Sequence, residues 1–105
     1  MSKKYDEVRI SKSDRDKKLK AVFYLNGDKK KTLHFGAKGM KDFTLHSPNV
    51  RDEKKKNYLA RHSPKKTKER WDIPDTPASL SRWILWNKTT IPESIKDYKK
   101  RFKLK

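Results

Sequence analysis

Histidine, cysteine and paired carboxylates do most of the chemistry in proteins, and in this chain they are absent or scattered. Cysteine is missing, which excludes disulfides and thiolate metal ligands. His34, His46 and His62 lack the H-x-x-x-H or H-E-x-x-H spacing that sets two imidazoles on one helix face around zinc. They read as exposed or half-buried rings, with His62 favourable at a helix C-terminus, where a positive charge meets the dipole. Gly27, Gly36 and Gly39 lack the spacing of a phosphate-binding loop. Gly36-Ala37-Lys38-Gly39 has the form of a G-x-x-G clamp, but a strand precedes it where a KH domain has a helix, so a tight turn is expected. No Ser-His-Asp arrangement stands on spacing. The acidic residues alternate with lysines and read as surface ion pairs, not as a pair with one raised pKa. A nuclease would need Asp42, Glu69, Asp72 or Asp75 to converge on a metal in a basic cleft. The expectation is a protein that is not an enzyme, with no catalytic residue, no metal and no cofactor.

The positive signal is charge. Thirty Lys and Arg face 13 Asp and Glu in 105 residues, a formal charge of +17. Repulsion on this scale opposes a compact state unless an anion neutralises it, and nucleic acid is the most abundant cellular polyanion. Fifteen of the cations make three candidate binding groups. Lys29, Lys30 and Lys31 form one. Arg51, Lys54, Lys55, Lys56, Arg61, Lys65, Lys66, Lys68 and Arg70 form the second, and Lys99, Lys100 and Arg101 the third. Each can pair with a phosphate and release condensed counterions, a driving force blind to sequence. Lysine outnumbers arginine, and lysine acts as a hydrated point charge where arginine supplies the bidentate fork that reads bases. Non-specific backbone contact is therefore expected, with DNA favoured over RNA. Tyr24 or Trp71 could stack on single strands.

The elements that must carry these cations follow from hydropathy. Val8 and Ile10 alternate with charged neighbours, as in a short edge strand. Residues 18–36 form two alternating runs around Asn26-Gly27, the pattern of a β-hairpin, with Phe23, Leu25, Leu33 and Phe35 on one face and Lys29 to Lys31 at the tip or edge. A loop and a short strand are expected around Asp42 to His46. Asn49 is a candidate N-cap for a basic helix from Val50 to about His62, closed by Ser63-Pro64 and followed by a basic linker, Lys65 to Lys68. Two prolines keep Trp71 to Pro77 irregular. A helix capped by Asp75 or Thr76 is expected from Pro77 to about Asn87, and a second, with the box Thr90-Ile91-Pro92-Glu93, from Pro92 to about Phe102.

The fold class that follows is α+β: a small antiparallel β-sheet packed against two or three C-terminal helices. Residues 1–17 are expected as a mobile basic segment with an edge strand, and residues 18–105 as a single small domain. Its core would hold Phe23, Leu25, Leu33, Phe35, Leu80, Trp83, Ile84, Tyr98 and Phe102. So small a core is marginal, and a homo-oligomer or a ligand would complete it. No apolar run nears the ~20 residues of a membrane span. The N-terminus has no apolar signal region, so an intracellular, non-secreted protein with no membrane partner is expected.

Three segments resemble a family of small basic proteins of giant nucleocytoplasmic large DNA viruses, the mimivirus-like and algal viruses. They are Lys41-Asp42-Phe43-Thr44-Leu45-His46, Tyr58-Leu59-Ala60-Arg61-His62, and Leu80-Ser81-Arg82-Trp83-Ile84-Leu85-Trp86-Asn87-Lys88 with the following Ile91 to Phe102. The resemblance covers roughly residues 36–102 and brings no catalytic residues with it. It implies a setting, the virion or viral factory, in which a cationic protein condenses or packages a genome. The alternative is a minor structural virion protein or a protein–protein adaptor for an acidic partner, with Leu80 to Trp86 as its interface.

Overall fold

The computed structural model describes residues 4–39, 42–67 and 70–105. Three strands, β1 (Glu7–Lys12), β2 (Lys17–Leu25) and β3 (Asp28–Ala37), form an antiparallel meander in the order β1-β2-β3. The hairpin closes on Asn26 and Gly27 with φ of 53° and 84°. Two consecutive positive φ values define the type I′ turn, whose twist matches that of the strands it joins. Leu19 lies opposite Phe35, and Ala21 opposite Leu33 and Ile10, so these side chains share the face that meets the helices. A register shift between Phe23 and Tyr24 puts Phe23 opposite Lys31.

β1 pairs with β2 over its whole length, and Val8 and Tyr5 enter the core. β1 is thus part of the same sheet as the hairpin, and a boundary after residue 17 would cut through the core. The outer edge of β1 meets the C-terminus: Val8 N donates to Lys105 O and Lys105 N to Asp6 O. The chain reaches that edge through a Schellman turn after the last helix, in which Leu104 N donates to Lys99 O and Lys103 N to Lys100 O. Lys103 takes the left-handed position, φ 54°, where glycine is usual. These two bonds occupy the start of the edge strand and shorten the template it offers for intermolecular pairing.

After the sheet, Phe43–Leu45 is a 3-10 turn and not the expected strand. The Asp42 carboxylate accepts from Thr44 N and from the Thr44 hydroxyl, which ties the segment into a turn before it can extend. The basic helix α1 spans Pro48–Arg61 and starts two residues earlier than expected. Ser47 is the N-cap residue, not Asn49, because Pro48 fits the first helical position, where no N–H is needed. Pro64 does not open a linker: it begins the short helix α2 (Pro64–Thr67).

Thr76 caps α3 (Pro77–Leu80) through Ser79 N, as expected. The helix then widens into a π segment, Ser81–Leu85, in which Trp86 N donates to Ser81 O, and it stops short of Asn87. Side chains take the carbonyls that further turns would need. Asn87 Nδ2 donates to Trp83 O, and an Arg82 guanidinium nitrogen donates to Trp86 O. The final helix, α4 (Ile91–Arg101), is capped by Thr90 through Glu93 N.

The core joins Val8, Ala21, Phe23 and Phe35 of the sheet to Leu80, Ile84, Leu85 and Tyr98 of the helices. Of the expected core, Leu33, Trp83 and Phe102 are only partly buried, and Leu25 lies outside the cluster. Val8, Ala21 and Leu85, outside the expected set, are buried instead. Gly36, at φ 83°, sits where an added Cβ would meet Leu85 Cδ1 at 2.9 Å, so this end of β3 packs directly on the π segment. Because Leu80 and Ile84 are fully buried within the chain, the face expected as an adaptor interface is occupied by the sheet.

One buried carboxylate fastens this arrangement. Asp75 is 5% exposed; it accepts from the Tyr5 hydroxyl and pairs with Lys31 and Lys4. Burial works to raise its pKa, but the Tyr5 hydrogen bond and the two lysines outweigh it and hold the group below its ordinary value. A depressed carboxylate stabilises the fold above its unfolded value of about 3.9, and that stability is lost as pH falls through the folded value. Asp75→Asn is expected to cost about 1–2 kcal/mol at pH 7, mostly from the weakened Tyr5 bond, since the lysines are exposed. Urea melts at pH 7 and pH 3 check this: the gap between wild type and variant should narrow at the lower pH.

Candidate nucleic-acid interface

At 100° per residue, Arg51, Lys55, Tyr58 and His62 fall on one face of α1 and its C-terminal cap, and this face turns inward. Tyr58 stacks on Trp86, with centroids 4.6 Å apart and planes 7° from parallel, and His62 stacks on Tyr58 at 4.4 Å. The Arg51 guanidinium lies 5.8 Å from the centre of the Phe43 ring and Lys55 Nζ 4.8 Å from it. Lys55 also donates to Asn87 O at 2.9 Å. Burial lowers its pKa first, and the nearby Arg82 and Lys88 charges lower it further. Two cations expected to meet phosphate therefore hold α1 to the body instead: helical spacing puts them on the side of the one residue α1 buries, Tyr58.

The rest of α1 faces solvent. Lys54 and Arg61, seven residues apart, share one flank, and Lys56 lies on the other. All three are exposed and ion-paired to no described residue. Lys65 and Lys66 extend this run onto α2, both exposed. Lys68 and Glu69 lie outside the described residues.

The other groups divide in the same way. Lys29 and Lys30 are exposed on β3 beside the turn, but Lys31 reaches back to Asp75. Lys100 is exposed and Lys99 half-buried, both without a carboxylate partner among the described residues. Arg101 pairs with Asp97 at 3.7 Å, and Arg70 makes a two-pronged bond to Asp72 at 2.9 Å. Sequence reasoning overlooked Lys12, Lys17 and Lys20, which the sheet displays, and Arg9, which packs 4.7 Å from the Tyr24 ring centre. Period-two alternation was the signal that would have placed them. The structure does not gather the cations into one cleft. It distributes them over the hairpin, α1 with α2, and α4, around a body with extents of 43, 30 and 23 Å.

The described carboxylates of that set, Asp42, Asp72 and Asp75, do not converge either. Asp42 binds Lys18 at 2.9 Å, Asp72 binds Arg70, and Asp75 binds Tyr5 and Lys31. Among the described residues no three His, Asp or Glu side chains are placed to hold a metal ion. A hollow of about 360 Å³ separates α1 from the sheet and the π segment, lined by Lys18, Gly36, Arg61, Ser81 and Trp86 among others. No helix among the described residues is long and apolar enough to cross a membrane.

These features define a small α+β protein: a three-stranded meander, a helical layer on one face, and a basic helix hung from it by an aromatic stack. The model of a family of unknown function, DUF5754, matches residues 8–62, which is the sheet together with α1 and its cap. The match covers more than half of the chain, and the protein belongs to that family. No curated protein and no solved structure matches it.

Proposed function

We propose that this protein binds the nucleic-acid backbone, duplex DNA before RNA, with little preference for sequence, and that it acts as a binding protein and not as an enzyme. The observation that supports this reading most directly is the set of cations left without carboxylate partners among the described residues, in a chain of charge +17: Lys29, Lys30, Lys54, Lys56, Arg61, Lys65, Lys66, Lys99 and Lys100. Their spread over several sides suits a protein that coats phosphate in many copies better than one that seats a single groove. Lysine heads at these positions neutralise charge without the fork geometry of base readout. The resemblance of residues 36–102 to small basic proteins of giant DNA viruses supplies a setting, the condensation or packaging of a viral genome in the virion or viral factory.

Affinity for a labelled duplex across a salt series tests this, with RNA of equal length and heparin in parallel. If six to ten phosphates are neutralised, affinity should fall by about 10³ to 10⁵ between 50 and 200 mM salt, equally for unrelated sequences. A flat salt response, or no binding at all, would overturn the reading and point to an acidic protein partner.

A further inference from the structure

Lysine outnumbers arginine in this chain, yet three of its seven arginines converge on two tryptophans beside α4. Trp71 lies in the irregular segment before α3, and its carbonyl accepts from Trp83 Nε1 at 2.8 Å. Arg82 reaches both indoles, 4.1 Å from the Trp83 ring centre and 5.5 Å from that of Trp71. Arg101 covers Trp83 at 3.6 Å. Arg70, Trp71, Trp83, Arg101 and Phe102 line an open hollow of about 690 Å³.

The electrostatics of this cluster are unbalanced. Arg70 has Asp72 and Arg101 has Asp97, but Arg82 has no carboxylate within ion-pair distance among the described residues. Its guanidinium donates to the Trp86 carbonyl, while its Nε is buried without a partner among the described residues. The Trp71 indole N–H is likewise buried without one. This half-buried guanidinium has only the more distant Asp97 charge to set against that of Arg101, which is costly, and an anion close by offsets that cost. The Arg70–Asp72 pair is exposed on both sides, 59% and 69%, so it is weak in water and Arg70 can exchange its carboxylate for a phosphate.

From this geometry we infer that the hollow is a site for one unpaired nucleotide of a single strand, with the base stacked on Trp71 and its phosphate held by Arg70 and Arg101. The inference rests on the nucleic-acid reading above and adds a second mode to it. Lysines on α1 and the hairpin hold backbone of any kind; the arginine–tryptophan hollow accepts a base only where it is free of a duplex. Every base has a π face, so stacking here is indifferent to sequence. Arginine suits the position because its planar head both packs on an indole and forks onto phosphate.

The test uses the full chain with a thymidine 15-mer and with a duplex of equal length. Trp71→Ala should weaken the single strand by about tenfold to a hundredfold, the usual cost of removing one stack, and leave duplex affinity within about twofold. Trp71→Phe, which keeps a ring, should restore most of the loss. Photocrosslinking of wild type to an iodouracil-substituted 15-mer gives a readout that does not depend on a variant folding, and the adduct should map to Trp71. Equal losses for both DNA forms, or an adduct elsewhere, would overturn the hollow while leaving phosphate neutralisation standing. If wild type binds neither DNA, both readings fall together.

Discussion

Replacing Tyr98 with alanine should remove most of the protein's stability in dilute buffer at 25 °C. Tyr98 is the largest fully buried side chain, at 0% exposure. Its ring packs 5.0 Å from Phe102, and its hydroxyl donates to Pro74 O at 2.7 Å. Truncating a buried aromatic costs about 3–5 kcal/mol, while a domain of this size holds about 5–15 kcal/mol in total. The charge of +17 pushes this protein toward the lower end, because like charges repel more strongly in the compact state. Tyr98→Phe keeps the ring and removes only the bond to Pro74, for about 1 kcal/mol. Urea melts of the three proteins should rank wild type, Phe and Ala in that order. Added salt should raise all three midpoints by screening the repulsion. Burial, and then the nearby Asp75 charge, push the Tyr98 phenol upward. A raised pKa stabilises the fold fully below the unfolded value of about 10 and loses that contribution as pH rises toward the folded value. The Phe variant should therefore lose less stability than wild type above about pH 10.

The sheet was legible in the sequence because its signals are local. Asn26-Gly27 between alternating runs has one cheap conformation, and Thr76 and Thr90 each stand close before a proline at a helix start. What was not legible depends on partners distant in the chain. Asp42 folds its own segment into a turn through Thr44 while Lys18, 24 residues away, holds its other oxygen. The fate of each cation was hidden for the same reason. Arg51 and Lys55 look no different from Lys54 and Lys56 in a charge run, and only the Tyr58–Trp86 stack decides which flank of α1 turns inward. Asp75 and Thr76 were both candidate caps; Thr76 takes that role, which leaves the carboxylate to Tyr5 and Lys31. The π segment was equally invisible, since it arises where Asn87 and Arg82 side chains claim carbonyls that a regular helix would use.

That division of cations yields the sharpest expectation for binding. Changing Lys54, Lys56, Arg61, Lys65 and Lys66 together to glutamine should flatten the dependence of log affinity on log salt by up to about 4–5 units, close to one for each phosphate no longer neutralised. Duplex affinity at 0.15 M salt should fall roughly a hundredfold or more by the same counterion-release relation. All five side chains are exposed, so the substitutions should move stability by no more than about 0.5 kcal/mol each, and circular dichroism should be unchanged. Arg51→Gln with Lys55→Gln is the matched control. It also removes two positive charges from α1, but from the face that meets Phe43 and Asn87. Its salt slope should stay within about half a unit of wild type, and its cost should show as a lower melting midpoint. If both sets flattened the slope in proportion to the charge removed, binding would follow net charge alone, and the outward flanks of α1 would lose their claim to be the binding surface. A slope that changes only with the outward five would make α1 and α2 the part of the protein that lies on the phosphates.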